Sequence, residues 1–336
     1  MRILVTGGAG YIGSVTVEAF VAAGHQVIVL DDLSTGHRGA VTEGALLEVG
    51  SYGDTTAVAK LLESHRIDAV LHCGAKSVVP ESMTNPAKYF RENVAGGIAL
   101  LEGMRTAGVK RIVFSSTAAT YGMPDRTPIT ESDLVRPINA YGETKRSVEG
   151  AIRWYSYGYG FRSVILRYFN VAGASERNGE QHVPETHLIP TVLLAAAGAT
   201  TLTLFGEDYP TPDGTCIRDY IHVEDLASAH LLALDATAPT DAGIGAMETV
   251  TEPLICNLGN GAGFSNREIV AAAERVSGRP IPLRFGPRRA GDPPVLVASA
   301  DRAHEVLGWQ PIHGTIEEMI GSAWEWRQKH PDGYAE

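Results

Sequence analysis

The sequence predicts an α/β protein built on a doubly wound parallel sheet, with a smaller C-terminal lobe. Three observations carry that prediction. Short aliphatic runs alternate with helical stretches over the first half of the chain, a glycine cluster follows the first run, and an acid closes the second. Alternation of this kind means right-handed crossovers and helices on both faces of the sheet. At 336 residues the chain is too long for one small core, and a large domain over 1–170 with a lobe over 171–336 is the natural division. Some of the later chain is expected to return to the first domain.

Arg2 to Thr6 is a β-branched and aliphatic run, and reads as a buried strand. Gly7, Gly10 and Gly13 follow it in G-x-x-G-x-x-G order, and a helical pattern runs over 12–23. Glycines there let the chain turn sharply and let a phosphate approach the backbone, while the helix behind them offers free N–H groups and a partial positive charge. Gln26 to Leu30 forms the next strand, closed by Asp31 and Asp32, about 20 residues past the loop as a dinucleotide site requires. A carboxylate at that position accepts hydrogen bonds from both ribose hydroxyls and repels a 2′-phosphate, which favours NAD over NADP despite nearby His37 and Arg38. The sheet is therefore expected to be of Rossmann type.

Further strands are expected at 69–74, 111–116 and 163–168, with helices over 54–64, 85–107 and 140–158 between them. Ligands then sit past the carboxyl ends of the strands. After Asn170 the chain turns polar and loop-rich, notably at "DYPTPDG" (208–214) and across 285–298. One helix start is legible in this half, the capping-box pattern Ser265-x-x-Glu268.

Two constellations carry chemistry. In Tyr141-Gly-Glu-Thr-Lys145 the phenol and the ammonium lie one turn apart on the same helix face. A buried cation near a phenol stabilises the phenolate, which makes a general base for an alcohol proton. "FSSTAATYG" (114–122) ends a buried strand, and its hydroxyls can bond the same substrate oxygen.

Composition narrows the rest. A net charge of −11 leaves no general basic surface for nucleic acid or anionic lipid, so neither is expected as a partner. An anionic ligand must be held by a few placed arginines and helix ends. No apolar run approaches the ~20 residues of a membrane span, no signal peptide is legible, and three cysteines without C-x-x-C point to reduced thiols in a cytoplasmic protein. His182 and His187 read as loop residues, and no metal is expected.

With these residues in view, the chain resembles the extended short-chain dehydrogenase/reductase family, and within it the UDP-glucose 4-epimerases. The likeness rests on GGAGYIGS, ES-x3-P-x2-Y-x3-NV-x-G (81–96), SST-x3-YG (115–122), Tyr141 with Lys145, "RYFNVAGA" (167–174) and "HLIP" (187–190). It continues through "FGEDYPTPDGTCIRDYIHVEDLA" (205–227), "RRAGDPP" (288–294) and "HPDGY" (330–334). The resemblance implies reversible 4-epimerisation of a UDP-sugar through a 4-keto intermediate, with tightly bound NAD and no net oxidation. It implies that Gly7, Gly10, Tyr11 and Ile12 hold the pyrophosphate, that Asp31 and Asp32 stand at the ribose, and that Asn93, Lys145 and Tyr168 line the cofactor. Thr117 and Tyr141 would contact the 4-hydroxyl. Asn170, Leu188, Arg218, Arg289 and Asp292 would hold UDP. It also implies a homodimer through helices 85–107 and 140–158.

The chain departs from the family pattern in places. Ser51 and Tyr52 stand where an adenine-contacting acid is usual, Lys76-Ser77 stands where leucine then lysine is usual, and Thr117 replaces serine with its hydroxyl kept. Leu296 stands where the family sets room for a 2-acetamido group, and leucine is intermediate between the aromatic that excludes it and the small residue that admits it. UDP-glucose and UDP-galactose are thus the first substrates, with the N-acetylated pair UDP-GlcNAc/UDP-GalNAc as an addition. A 4,6-dehydratase needs an acid beside the strand-end hydroxyl, and Thr117 is followed by Ala118 and Ala119. A 4-epimerase of another UDP-sugar, or a non-catalytic NAD-sensing protein on the same fold, are the remaining alternatives.

Overall fold

The computed structural model describes residues 1–239, 252–289 and 292–335. Its centre is a parallel sheet of seven strands: β1 (Arg2–Thr6), β2 (Gln26–Asp31), β3 (Ala45–Val49), β4 (Ala69–His72), β5 (Arg111–Thr117), β6 (Arg162–Tyr168) and, after three strands of the lobe, β10 (Leu254–Leu258). In space they run β10-β6-β5-β4-β1-β2-β3. The order reverses between β1 and β4, and a crevice opens past their carboxyl ends. Ile3 and Val5 from β1, Val29 from β2, Leu71 from β4 and Val113 from β5 are fully buried, the pattern of strands covered on both faces.

Two strands of this sheet fall outside the predicted set. β3 is an edge strand, with Leu46 and Val49 about half exposed, and its short apolar run over 45–47 is broken by Glu48. β10 comes from the second half of the chain and pairs with β6 in register Cys256↔Leu166. The helix Val223–Ala236 also returns, burying Leu226, Ala229, Ala233 and Leu234 in the same core as β1 and β4.

The predicted helix over 85–107 is an α-helical turn (Pro86–Tyr89), a π-helical segment (Phe90–Ala95) and an α-helix (Gly96–Thr106). The helix Ala140–Tyr159 begins at Asn139, whose side-chain oxygen accepts from the Gly142 N–H at 2.8 Å, and ends at Gly160 with φ 69°. It is tied to the sheet by a buried cluster: Arg167 on β6 donates two hydrogen bonds to the Glu149 carboxylate, at 2.9 and 2.6 Å, and Ser116 donates a third.

The lobe has its own core. Strands β7 (Asn170–Ala172), β9 (Ile217–His222), β11 (Gly263–Ser265) and β13 (Val295–Leu296) form one small sheet, and β8 (Leu202–Phe205) pairs with β12 (Leu283–Gly286). Val192, Leu204, Ile269, Met319 and Ile320 are buried between them and three helices. The capping box predicted at Ser265 and Glu268 starts the helix Asn266–Ser277. Ala290 and Gly291 of the "RRAGDPP" motif lie outside the described residues. Among the described residues, no helix is long and apolar enough to cross a membrane.

Candidate active site

Where β1 and β4 part, the glycine loop closes on the sheet. Gly7 has φ +72°, and a Cβ there would stand 2.6 Å from the Gly74 Cα. A Cβ on Gly13 would lie 2.1 Å from the Gly7 carbonyl oxygen, so the loop folds back on its helix Tyr11–Ala22 only because both residues lack one. The helix N-terminus is left facing a cavity of about 860 Å³, which runs from this loop to the lobe.

Asp31, at the end of β2, is 7% exposed and lines that cavity. Its carboxylate accepts from the Ala9 N–H at 3.0 Å and the Leu33 N–H at 2.9 Å, which fixes its orientation and leaves lone pairs free. Burial raises its pKa, and the two backbone donors pull it back down. Asp32 and Lys76 stand beside it, 3.8 Å apart. Glycines that admit a backbone approach, an open helix end and an oriented strand-end carboxylate fit an adenine dinucleotide. Ser51 and Tyr52 also line this end; the Tyr52 ring lies edge-on to His72 and fills the space that Cβ atoms on Gly74 and Gly96 would occupy.

Further along the cavity stand Thr117, Tyr141, Lys145 and Tyr168. Thr117 and Tyr168 are paired residues at the ends of β5 and β6. Thr117 accepts from the Ala119 N–H at 3.1 Å, which fixes its side chain. Tyr141 sits in the first turn of its helix, half-buried in the wall. Withdrawal from water pushes its phenol up to about 12, and the hydroxyl of Thr117 opposes that rise. Lys145 is 4% exposed; its ammonium donates to the Ser115 carbonyl at 2.7 Å and lies 4.9 Å from the centre of the Phe114 ring. Burial pulls it down to about 8.

The lobe supplies Asn170, Leu188, Arg289, Asp292 and Leu296 to the same cavity. Leu188 opens the helix Leu188–Ala196, and the Arg289 guanidinium lies 4.1 Å from the centre of the Phe205 ring. Leu296 is half-buried and packs with Ala118, Tyr121, Ile129, Phe169 and Ala298.

Gly7, Gly10, Tyr11 and Ile12 lie on the wall with these residues. Two of the sequence-predicted residues are absent from it. Asn93, in the π-helical segment, is 3% exposed; its amide accepts from the Lys76 N–H at 2.8 Å and donates to the Lys76 carbonyl at 2.9 Å. It therefore acts by holding the Lys76 backbone, and Lys76 itself reaches the cavity. Arg218, on β9, is 8% exposed and directs its guanidinium to the Asp292 carboxylate. Arg289 is left as the arginine on the cavity wall.

Sequence reading took His182 and His187 as neighbouring loop residues, and both lie in the irregular chain between β7 and the helix Leu188–Ala196. What it did not show is that they join Glu180 and Glu185 in one cluster. The two carboxylates raise His182 to about 9 and His187 to about 10 against the cost of burial. Glu180, His182 and His187 line the cavity.

The model of the NAD dependent epimerase/dehydratase family matches residues 3–245. The chain belongs to that family. It is 49% identical over 339 residues to a UDP-glucose 4-epimerase of Lacticaseibacillus casei, covering 100% of this chain and 99% of the relative. A crystal structure of a UDP-glucose 4-epimerase superposes with a TM-score of 0.93 at 47% identity, covering all of both chains. A UDP-glucose 4-epimerase from Bifidobacterium longum in complex with NAD+ and UDP is similar at TM-score 0.91 and 33% identity, covering 99% of this chain and 100% of that one. Membership at this level agrees with the shared cavity of glycine loop, strand-end acid and Tyr141/Lys145 helix.

Proposed function

We propose that this chain interconverts UDP-glucose and UDP-galactose by 4-epimerisation, with NAD held in the cavity and Tyr141 as the base. The observation that carries this reading is that Thr117, Tyr141 and Lys145 open into the same cavity as Asp31 and the glycine loop, on a chain that aligns with UDP-glucose 4-epimerases along its whole length. When bound, NAD would supply a reversible hydride acceptor. The chain's residues do the rest. Lys145, buried and charged at neutral pH, lowers the cost of Tyr141 ionisation. Thr117 orients the 4-hydroxyl, and Tyr141 takes its proton and later returns it. Gly7, Gly10, Tyr11 and Ile12 position the pyrophosphate of NAD, and Asp31 its ribose.

UDP is gripped by Asn170, Leu188, Arg289 and Asp292, with Arg218 holding Asp292 in place. The hexose region near Thr117 is walled by Ala118, Ala119, Phe169 and Leu296, none of them charged. A firm hold on the nucleotide and a loose hold on the sugar let a 4-keto sugar turn over between its two proton transfers. Leu296 is intermediate in size between an aromatic ring that excludes a 2-acetamido group and a small residue that admits one, which makes the N-acetylated pair the second substrates to test. We further place the enzyme in the cytoplasm as a homodimer; Phe90, Ile98, Trp154 and Tyr159 are large exposed side chains on the two helices the reading assigns to that contact.

The test is to incubate purified protein, with no added cofactor, with UDP-galactose and separately with UDP-N-acetylgalactosamine, and to resolve the products by chromatography. Conversion of UDP-galactose is expected, with conversion of the N-acetyl sugar if Leu296 leaves room. Failure to convert either, even with NAD added, overturns the reading in favour of another UDP-sugar or a non-catalytic NAD-sensing role.

A further inference from the structure

The segment from Gly173 to His187 has no strand or helix to organise it, yet it covers the glycine-loop end of the cavity. The Tyr11 hydroxyl donates to the Gly173 carbonyl at 2.6 Å, and the Asn178 side chain donates to the Ala40 carbonyl at 2.9 Å. Within it the pattern Glu-x-His occurs twice, at 180–182 and at 185–187. The two copies converge.

We propose that Glu180, His182, Glu185 and His187 form a four-ligand site for one divalent transition-metal ion, zinc in preference to magnesium or calcium. His182 Nδ1 lies 3.4 Å from Glu180 Oε1 and 3.5 Å from Glu185 Oε2, and His187 Nδ1 lies 3.5 Å from Glu185 Oε1. A tetrahedral zinc ion with bonds of about 2.1 Å sets neighbouring donors about 3.4 Å apart, close to these three separations, with Glu185 presenting a different oxygen to each histidine. The closest pair, His187 Nδ1 and Glu180 Oε1, is 2.7 Å apart and opens on binding. One donor atom from each of the four residues falls within 4.8 Å of all the others. His182 Nδ1 is also enclosed without a hydrogen-bond partner.

Two imidazoles and two carboxylates suit zinc and its neighbours; magnesium and calcium call for six or more oxygens. Each imidazole gives up its proton to bind the ion, which takes over the pairing with the two carboxylates, so binding releases protons. Four protein donors leave no open position, so the ion is structural: it pins the covering segment and takes no part in the chemistry at Tyr141. The other histidine–carboxylate group, His222, Glu224 and His313, has no such claim, since His222 Nδ1 accepts from the Glu224 N–H and Nε2 bonds the Ser322 hydroxyl.

Tag-free enzyme is stripped with a chelator, dialysed, and titrated with Zn2+ or Mg2+ by calorimetry, with bound metal counted by mass spectrometry. One Zn2+ per chain is expected, with Mg2+ far weaker. His182→Ala and Glu185→Gln should each weaken Zn2+ binding by at least about 100-fold, since loss of outer-sphere partners alone costs up to that. Circular dichroism of the metal-free variants should match that of the metal-free parent, which separates loss of a ligand from loss of the fold. Co2+ in place of Zn2+ should give the visible absorption of a four-coordinate site. Zn2+ binding below about a tenth of an equivalent with excess metal, or unchanged binding by the His182→Ala/Glu185→Gln double variant, overturns the site and leaves two ion pairs in its place.

Discussion

Tyr141 and Lys145 stand one helical turn apart, and burial moves them in opposite directions, the phenol up to about 12 and the ammonium down to about 8. For the lysine this has a measurable consequence. Below pH 8 it is charged in both folded and unfolded chains, and its burial costs stability. Between about pH 8 and its ordinary value near 10.4 the unfolded chain binds the extra proton, so stability from this group rises with pH, by up to roughly 3 kcal/mol. Denaturant titrations at pH 7.5 and 9.5 should show the parent gaining on Lys145→Met across that interval. An unchanged difference would mean that Lys145 is not buried as described. The residues themselves were legible because their spacing is helical and their chemistry is specific. Asn93 and Arg218 were legible as polar residues in the right motifs, yet sequence carries no sign that one would face the Lys76 backbone and the other Asp292.

Among elements, the turn at Gly7 decides how closely β1 and β4 approach at the cofactor end. Gly7→Ala places a Cβ 2.6 Å from the Gly74 Cα in a left-handed conformation, with backbone on both sides and nothing flexible to yield. We expect a loss of roughly 1–3 kcal/mol in stability and of most co-purifying NAD. Denaturation midpoints and the cofactor released on precipitation measure the two; full NAD content would show that the loop tolerates a Cβ. The loop, its helix and β2 could be read from sequence because buried parallel strands are continuous apolar runs. β3 was missed, since its apolar run over 45–47 is short, Glu48 breaks it, and the strand lies half-exposed at the sheet edge. Nor could the π-helical segment Phe90–Ala95, whose residues also satisfy an α-helical pattern and whose extra turn width depends on packing. His182 and His187 were read as loop residues without Glu180 and Glu185, because convergence of these side chains is a property of the folded backbone.

At the scale of the molecule, each half of the chain completes the other: β10 and the helix Val223–Ala236 finish the large sheet and its core, while β7 leaves β6 to begin the lobe. Sequence reading placed the change at Asn170 and expected a return, but no local pattern says which later strand comes back. Outside the chain, Trp154 is 70% exposed on the helix Ala140–Tyr159. If two such helices meet those of a second copy, Trp154→Glu places a charge in that contact. Light scattering after size exclusion should then report a dimer for the parent and a shift to monomer for the variant, whereas two identical profiles would remove this face from the contact. The most direct test of the account as a whole follows the hydrogen at C4. UDP-galactose carrying deuterium at C4 is converted in ordinary water, by the parent and by Tyr141→Phe. The account predicts that the UDP-glucose formed by the parent keeps its deuterium, because the same hydrogen leaves and returns within the closed site, and that Tyr141→Phe slows conversion by at least about 100-fold, as loss of a general base does. Deuterium lost to solvent, or a Tyr141→Phe variant as fast as the parent, would contradict it.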